Sequence, residues 1–388
     1  MTPRHVAVLG AGPIGLDAAL ACADAGLPVT VYEAGPTVAA HVRDWGHVRL
    51  FTPWELNLSP RMRAHLGPHA PEGDACPTGA ELTRHLLEPL AELPALAGSI
   101  TPRTRVVAVA REGLLKHEHI GTRQRAAAPF RLLLDGPAGE RYAHADLVLD
   151  CTGSYAHPNP LGDGGIPALG ERALAHRITR TLPDPAAPDR WRGTVLLIGA
   201  GKSAQTAARD LAGMPDTRVE WAVRATRPDW GEIPDDQLPE RRRLVDTSRA
   251  LASGACDRVR VHTGTRLTAL RQDGRSIRAT LTTPAGLREL LCDHVLGLTG
   301  YGADSAVHRQ LQIHECYATA APMNLSATLL GAAGGDCLAQ PPAGLDTLRN
   351  PEPGYYILGA KSYGRLSTFL LRTGYAQVTE VIPPRRAQ

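Results

Sequence analysis

One arrangement occurs twice in this 388-residue chain: an apolar strand, a glycine-rich turn and a helix. It is present in VAVLGAGPIGLDAALAC at residues 6–22 and in VLLIGAGKSAQTAARDL at residues 195–211. In such a turn, glycines permit a tight bend and a close approach of backbone to phosphate, while the helix directs its positive end at the phosphate. The repetition therefore predicts two dinucleotide sites in one chain.

The first turn has the spacing GxGxxG and is followed by a second strand, PVTVYEAG, that contains Glu33. A carboxylate at the end of this strand can accept hydrogen bonds from the hydroxyls of an adenosine ribose. We therefore expect the first site to bind a nucleotide with free ribose hydroxyls. The residues expected there are Gly10, Gly12, Pro13, Ile14, Gly15, Glu33 and Ala34.

The second turn has the spacing GxGxxA, and the strand after its helix leads to Arg224 and Arg227 instead of an acid. A guanidinium can bind a 2′-phosphate, which a carboxylate would repel, so this site is expected to prefer NADPH over NADH. The alternative is that Arg224 simply ends a strand at the surface. The residues expected at this site are Gly199, Gly201, Lys202, Ser203, Ala204, Arg224 and Arg227.

A second repeat marks the crossings between domains. DLVLDCTGSY (146–155) and DHVLGLTGY (293–301) each place a short apolar strand before Thr-Gly, and Asp-Gly pairs at 135–136 and 273–274 predict hairpin turns upstream. The predicted fold is α/β, with two Rossmann-like three-layer domains, one inserted into the other. The first domain is expected to comprise residues 1–156 and 299–388, and the second residues 157–298.

The C-terminal segment 354–382 predicts a buried strand, a close backbone approach at Gly359 and a helix that starts at Ser367 and Thr368. This helix is expected either to face the nucleotide of the first domain or to be a packed terminal helix without a ligand.

Composition excludes several functional classes. A net charge of +3 is too small to indicate nucleic acid, and no apolar run has the length of a membrane span. The seven cysteines show no CxxC and no metal-ligand spacing, so neither a redox disulfide nor a metal site is expected. The expectation is a cytoplasmic protein that acts on a small molecule, with a homodimer as one option for its assembly.

Two further segments are candidates for the walls of the site. Residues 42–60 concentrate large and polar side chains in a chain poor in aromatics, which predicts either a wall of the site or a buried structural knot. The catalytic candidates in this segment are Trp45, Arg49 and Asn57. The loop 227–243 is expected to be either a lid over NADPH or a passive surface loop.

The order of these motifs resembles the flavin-containing monooxygenase superfamily, in particular short bacterial FAD-dependent oxidoreductases with an LGAKSYGR segment near the end. Two different dinucleotides in one chain already imply electron transfer between them, which FAD in the first site and NADPH in the second would provide. The resemblance implies the same pair, with residues 42–60 as a flavin cover and substrate wall. It extends the FAD site to further residues: Trp45, Arg49, Val106, Cys151, Thr152, Gly153, Gly359, Lys361, Ser362 and Tyr363. The chain departs from the larger monooxygenases at Gly170 and His176, because their fingerprint has a Phe before that Gly and an earlier His.

The activity implied by the resemblance is oxygenation of a small molecule by oxygen, through a flavin C4a-hydroperoxide formed after NADPH reduces FAD. Two alternatives stay open. One is an NADPH-dependent reductase of a low-molecular-weight disulfide or quinone that works without a protein CxxC. The other is a non-catalytic nucleotide-binding or redox-sensing protein.

Overall fold

The structure is a computed structural model that describes residues 5–332, 336–340 and 344–384. The chain divides into two units. The first consists of the chain up to His157 together with the chain from Gly302 onward, and the second is the continuous segment Pro158–Tyr301. The sequence places these two boundaries after residues 156 and 298, slightly earlier in the chain.

The chain up to His157 alternates strands and helices. Its strands are β1 (Val6–Leu9), β2 (Val29–Tyr32), β3 (Ile100–Thr101), β4 (Arg105–Arg111), β5 (Phe130–Gly136), β6 (Gly139–Ala145) and β7 (Leu147–Asp150). Its helices are α1 (Pro13–Asp24), α2 (Ala40–Asp44), α3 (Trp54–Asn57), α4 (Pro60–Leu66), α5 (Gly79–Leu82), α6 (Glu88–Ala91) and α7 (Arg123–Ala127).

The middle segment contains the strands β8 (Ile178–Thr179), β9 (Gly193–Ile198), β10 (Thr217–Ala222), β11 (Val259–His262), β12 (Arg266–Asp273), β13 (Ser276–Thr283), β14 (Gly286–Cys292) and β15 (His294–Gly297). Its helices are α8 (Lys202–Gly213) and α9 (Pro239–Ala252). The final segment contains β16 (Glu315–Cys316), β17 (Ala321–Pro322) and β18 (Tyr355–Ile357). Its helices are α10 (Met323–Gly331), α11 (Leu345–Leu348), α12 (Ala360–Tyr363) and α13 (Leu371–Val381).

The first unit is built on a parallel sheet with the strand order β18-β7-β1-β2-β3. Alternate residues of β1 face opposite layers. Val6 and Val8 lie in the cluster that contains α1, whereas Ala7 and Leu9 lie in the cluster that contains the antiparallel sheet β4-β5-β6. All four side chains are almost fully buried, as expected for a central parallel strand.

The second unit repeats this plan with the order β11-β10-β9-β15-β8. Val195 and Leu197 of β9 pack in the cluster that contains α8, and Leu196 and Ile198 pack towards β12 and β13. The predicted fold class is confirmed: both units are three-layered and Rossmann-like, with helices on one face of a parallel sheet and an antiparallel sheet on the other. The edge strand differs, because β18 follows the unit's other strands in sequence and β8 precedes them.

Two local predictions are wrong. The hairpin at Asp135-Gly136 turns later, since Gly136 pairs with Gly139 and the turn is made by residues 137 and 138. The C-terminal helix begins at Leu371, not at Ser367 and Thr368. The second hairpin is closer to the prediction: Asp273 pairs with Ser276, so the turn is made by Gly274 and Arg275, one residue later than the predicted Asp-Gly pair.

A buried ion-pair group ties distant parts of the first unit together. The Glu352 carboxylate accepts hydrogen bonds from Arg111 Nε at 2.7 Å and Arg125 Nη2 at 2.7 Å, and from the backbone N–H of Gln312 at 2.9 Å. These bonds join β4, α7 and the segment before β18. Because buried charges need partners, the three ionic groups hold one another in the interior.

Among the described helices, none is both long and apolar enough to cross a membrane. Within the same residues, no group of three or more His, Cys, Asp and Glu side chains could hold a metal ion.

Candidate functional site

The first glycine turn lies at the carboxyl end of β1, where the glycines have separate roles. Gly10 has φ of +93°, and a Cβ there would lie 2.9 Å from the Cys151 carbonyl oxygen. A Cβ on Gly15 would lie 1.9 Å from the Gly10 carbonyl oxygen, so only glycine lets α1 start this close to the strand. Gly12 differs, because a Cβ there would meet nothing within 4 Å. The turn is therefore closed on its protein side and open at Gly12.

Glu33 follows β2 and closes the other side of this turn. Its carboxylate accepts hydrogen bonds from the Ala11 N–H at 2.7 Å and the Gly35 N–H at 2.6 Å, and the residue is 8% exposed. A carboxylate has about four lone-pair sites, so this one keeps acceptor capacity for a ligand. Ala34 beside it is exposed.

The carboxyl end of β7 carries a fully buried carboxylate, Asp150. Its Oδ2 accepts hydrogen bonds from Lys361 Nζ and the Tyr355 hydroxyl, both at 2.7 Å. Its Oδ1 accepts from the Thr152 hydroxyl at 2.6 Å and the Thr152 N–H at 3.2 Å. Burial opposes ionisation, but the charge of Lys361 and these hydrogen bonds outweigh it and lower the pKa of Asp150 below its usual range.

A buried histidine, His308, lies next to this group. Its Nε2 is 2.8 Å from a Glu315 carboxylate oxygen, and its Nδ1 is 3.9 Å from Asp150 Oδ2. Nδ1 has no hydrogen-bond partner among the described residues. Burial disfavours the charged imidazole, but interactions with Asp150 and Glu315 outweigh it and raise the pKa of His308.

The C-terminal segment reaches the same edge through β18. The Gly359 N–H donates to Gln377 Oε1 at 2.8 Å, and Gln377 Nε2 donates to Ser362 Oγ at 2.9 Å. Lys361, Ser362 and Tyr363 are all fully buried. The side chains of Lys361 and Ser362 hydrogen-bond to other protein groups, so they stabilise the structure around the site.

The second glycine turn repeats the geometry of the first. Gly199 has φ of +134°, and a Cβ there would lie 2.2 Å from the Leu298 carbonyl oxygen. A Cβ on Gly201 would meet nothing within 4 Å, and Ala204 is fully buried beneath the turn. Trp221 Nε1 donates to the Gly199 carbonyl at 2.7 Å and fixes the turn to β10. This turn is also open at its middle glycine.

Lys202 begins α8 and binds the loop that follows β10. Its Nζ donates to the carbonyls of Trp230 at 2.7 Å and Gly231 at 3.1 Å. Trp230 is buried against Trp221, with ring centroids 4.9 Å apart. Burial, followed by repulsion from Arg241, lowers the pKa of Lys202 to about 8. The candidate lid is thus anchored to the N-terminus of α8 through the Lys202 side chain.

The two predicted phosphate-binding arginines, Arg224 and Arg227, follow β10 and are exposed, as is Ser203. No hydrogen bond or ion pair links either arginine to the described residues. In the nearby cluster Arg241–Arg243, Arg241 is buried and pairs with Asp236, whereas its two neighbours are exposed. Arg242 donates to the Asp236 carbonyl and Arg243 pairs with Glu240, so among the described residues of this region Arg224 and Arg227 are the arginines without such bonds.

Residues 42–60 divide into a buried part and a more open part. Asn57 is 1% exposed, and its amide is used within the chain: Oδ1 accepts from the Thr52 hydroxyl, and Nδ2 donates to the Thr52 and Pro53 carbonyls. Arg49 is exposed and donates to the Cys76 carbonyl. Asn57 therefore orders this segment, as expected for a structural knot.

Trp45 belongs to the more open part of the segment. Its ring centroid is 6.3 Å from that of Tyr155, which follows Thr152-Gly153. Its Nε1 is buried and has no hydrogen-bond partner among the described residues. The ring also packs over Gly79, where a Cβ would lie 2.7 Å from it. Trp45 is therefore the catalytic candidate whose buried polar atom has no partner among the described residues.

Val106 lies in β4, at the irregularity in its pairing with β5, and is partly buried. The other FAD-site candidates from the resemblance come together at the carboxyl edge of the parallel sheet: Cys151, Thr152 and Gly153 after β7, and Gly359 after β18. Gly170, in contrast, is explained by packing, because a Cβ there would lie 2.0 Å from the Leu270 carbonyl oxygen. His176 is exposed.

The seven cysteines all lie within the described residues and form no disulfide there. Burial raises the pKa of Cys22 to about 12 and raises that of Cys151 well above its usual value. These are the cysteines of α1 and of the β7 edge, next to the first glycine turn. No thiolate is therefore stabilised at either place.

Sequence reasoning missed Asp150, Tyr355 and His308. Asp150 had only a weak sequence signal: it ends the apolar run LVLD, which predicts a buried strand. A charge buried there requires a cationic partner. The partner, Lys361, lies far along the chain, so only the pairing of β7 with β18 shows the connection.

The fold and its two glycine turns define a class: proteins with two Rossmann-like units, each with its site at the carboxyl edge of a parallel sheet. No family model matches the sequence, and no curated protein is significantly similar to it. Solved structures do share the fold over nearly the whole chain.

A bacillithiol disulfide reductase, Bdr (YpdA), from Bacillus cereus is 16% identical, with a TM-score of 0.71 over 98% of this chain and 97% of that one. An ornithine hydroxylase, PvdA, from Pseudomonas aeruginosa is 17% identical, with a TM-score of 0.64 over 97% of this chain and 98% of that one. A thioredoxin reductase from T. acidophilum is 13% identical, with a TM-score of 0.60 over 98% of each chain. At these identities the similarity establishes the fold.

Proposed function

We propose that this chain is an oxidoreductase that binds FAD in the first unit and NADPH in the second. One observation carries the proposal: the same open glycine turn occurs in both units, with a carboxylate beside the first and exposed arginines beside the second. Two nucleotides of different chemistry in one chain imply electron transfer between them. The similar solved structures include an ornithine N-hydroxylase from Kutzneria sp. 744 whose description names reduced FAD and NADP⁺, which supports the proposal.

The first site fits FAD. The space at Gly12 lets a pyrophosphate approach the backbone at the start of α1, where the helix dipole favours anions. Glu33 retains lone pairs for the ribose hydroxyls. Bound FAD supplies two-electron redox chemistry and reactivity with oxygen, for which side chains alone are not suited. The protein's part is to bind and orient the cofactor.

The second site fits NADPH. Gly201 leaves the corresponding space at the start of α8, and the exposed Arg224 and Arg227 can form paired hydrogen bonds with a 2′-phosphate. Lys202 and the loop it holds form one side of this turn. The loop is therefore proposed as part of the NADPH site.

For the reaction itself, we propose oxygenation of a small molecule: substrate, oxygen, NADPH and one proton give the oxygenated product, NADP⁺ and water. The motif order of the chain and its similarity to two ornithine hydroxylases support this choice. The buried, non-ionised cysteines near the first turn also favour chemistry at the flavin over exchange through a protein thiol. Trp45, with its free Nε1, is the candidate to contact substrate or flavin.

A second candidate, an NADPH-dependent reductase of a small disulfide or quinone, is supported by one observation. The bacillithiol disulfide reductase has a higher TM-score, 0.71, than the hydroxylase PvdA, 0.64, at similar coverage. Such an enzyme would pass electrons from the flavin directly to its acceptor, because this chain has no CxxC.

The decisive experiment is to reduce the FAD-loaded protein with NADPH in the absence of oxygen, mix it rapidly with oxygen and follow the flavin absorbance. For a monooxygenase we expect a long-lived band distinct from both oxidised and reduced flavin. Direct return to the oxidised spectrum, together with rapid oxidation by a disulfide or quinone, would favour the reductase. A protein that binds no FAD would contradict both.

A further inference from the structure

Thr152 occupies a special place at the first site. It is exposed, and its Cα lies 3.3 Å from the position that a Cβ on Gly10 would take. Thr152 therefore lies directly beside the first glycine turn, with its side chain exposed.

The hydrogen bonds of Thr152 are fixed from within. A threonine has two hydrogen-bond donors, its N–H and its hydroxyl, and here both donate to Asp150 Oδ1, at 3.2 and 2.6 Å. The hydroxyl oxygen also accepts a bond from Lys361 Nζ at 3.2 Å. One lone pair of the hydroxyl oxygen remains for a ligand.

The direction of these bonds cannot easily reverse. An ionised carboxylate can only accept hydrogen bonds, and an ammonium can only donate them. Asp150 receives four, from Thr152 twice, from Tyr355 and from Lys361. With every acceptor position of the carboxylate used, the Thr152 proton has a single favourable orientation.

We infer that Asp150 and Lys361 act as positioning residues that lock Thr152 as a pure hydrogen-bond acceptor, so that this part of the site selects a ligand hydroxyl and disfavours phosphate. Phosphate oxygens bring only lone pairs and would face another lone pair, whereas the hydroxyls of a polyol can donate. Resting on the proposed function, the inference assigns the ribityl chain of FAD, not its pyrophosphate, to Thr152.

Stability alone does not explain the pair. Lys361 and Asp150 are both at most 1% exposed, and buried ion pairs are commonly replaceable by neutral residues without loss of stability. The hydrogen bonds of Asp150 and Lys361 lead to Thr152, which is exposed beside the first glycine turn. The pair therefore also sets the hydrogen-bonding character of that surface.

The test compares FAD with analogues that each lack one ribityl hydroxyl, titrated into wild-type protein, Thr152→Val and Thr152→Ser. One analogue should bind wild-type protein about fivefold to tenfold more weakly than FAD, the effect of one lost hydrogen bond. Thr152→Val should bind FAD and this analogue equally weakly, and Thr152→Ser should behave as wild type. FAD and the analogues are compared within each protein, so a uniform loss of affinity in the valine variant leaves the comparison valid.

A second variant separates positioning from folding. The neutral pair Asp150→Asn with Lys361→Met should still fold and melt cooperatively but bind FAD about tenfold more weakly, because the Thr152 proton is released. The matched control is the buried pair of the second unit, Asp236→Asn with Arg241→Met, which should leave FAD affinity unchanged.

Two results would overturn the inference: analogues that lose the same affinity for wild type and Thr152→Val, or wild-type FAD affinity in the neutral pair. A wild-type protein that binds no FAD would instead overturn the proposed function, and this inference with it.

Discussion

Two glycines at the first turn, three residues apart, have opposite relations to their surroundings. Gly15 is enclosed, so a side chain there would collide with the turn, whereas a side chain on Gly12 would project into open space. Gly12 has φ of −82°, which any residue can adopt. Substitution at Gly12 therefore tests the site without disturbing the fold.

We expect Gly12→Val to lower FAD affinity by about 10- to 100-fold, the cost of crowding a closely fitted contact, with little change in melting temperature. Bound flavin is measured by absorbance after purification. Gly201→Val is the matched control, because it makes the same change at the second turn. That variant should retain FAD but lose reduction by NADPH. Full flavin content in Gly12→Val would contradict the assignment.

Arg224 is the residue on which the choice of nicotinamide nucleotide depends most directly. Arg224→Glu replaces an exposed guanidinium with a group that repels a 2′-phosphate. We expect the ratio of kcat/KM for NADPH to that for NADH to fall by about 10- to 100-fold, the loss of hydrogen bonds to a charged group. Steady-state reduction rates with the two nucleotides measure this ratio.

The control for Arg224 is Arg218→Glu, since Arg218 is also exposed and lies near the opposite end of β10. It makes the same change in net charge away from the carboxyl edge. If both variants shift the ratio equally, the effect is one of overall charge, and the assignment of Arg224 to the 2′-phosphate fails.

At the scale of elements, the repeated strand–turn–helix units are predictable because their signal is local. Each glycine, strand and helix lies within a short stretch, and the structure places α1 and α8 directly after the two turns. The start of the C-terminal helix is not determined by the local sequence. Ser367 and Thr368 are good helix-capping residues, but the segment before α13 is held by the Arg365 N–H on the Thr319 carbonyl and by Phe369 against Tyr363.

The hairpin between β5 and β6 illustrates the same limit. The Asp-Gly pair is a strong turn signal, yet here it forms the paired end of β5, and Gly139 with φ of +85° follows the actual turn. The role of Lys361 was also inaccessible from sequence. A lysine close to a glycine near a nucleotide site, such as Lys361 after Gly359, suggests phosphate binding. Only the pairing of β18 with β7 shows that Lys361 binds Asp150 instead.

His308 links the segment before β16 to the buried end of β7, and its pKa makes this link dependent on pH. The folded-state pKa is raised above the usual 6.5, so the folded protein holds the proton more tightly than the unfolded chain does. The resulting contribution to the free energy of unfolding is complete below pH 6.5 and is lost as the pH rises through the folded-state pKa.

We therefore expect the stability difference between wild type and His308→Gln to shrink as the pH rises above 6.5, measured by urea unfolding at a series of pH values. His314→Gln, an exposed neighbour before β16, serves as the control and should show no such trend. A difference that stays constant with pH would show that His308 contributes by packing and not by its charge.

The whole molecule is a repeated plan in which one unit is inserted into the other. Each unit has its own clusters of buried apolar residues, and the inserted unit is continuous in sequence. The ends of the interrupted unit lie together, because the Gly302 N–H donates to the His157 carbonyl at 2.8 Å. A short linker can therefore join the two segments without distorting the first unit.

The closeness of His157 and Gly302 permits a test of which unit binds FAD and which binds NADPH. Deleting residues 158–301 and joining His157 to Gly302 through a short Gly-Ser linker should leave a protein that folds cooperatively and binds FAD. Dithionite, which needs no protein site, should still reduce the bound flavin, whereas NADPH should not. The polypeptide comprising residues 158–301, prepared separately, should bind NADPH with the preference of the full chain. If the deleted protein is still reduced rapidly by NADPH, the nucleotide binds in the first unit and the assignment of the two glycine turns is wrong.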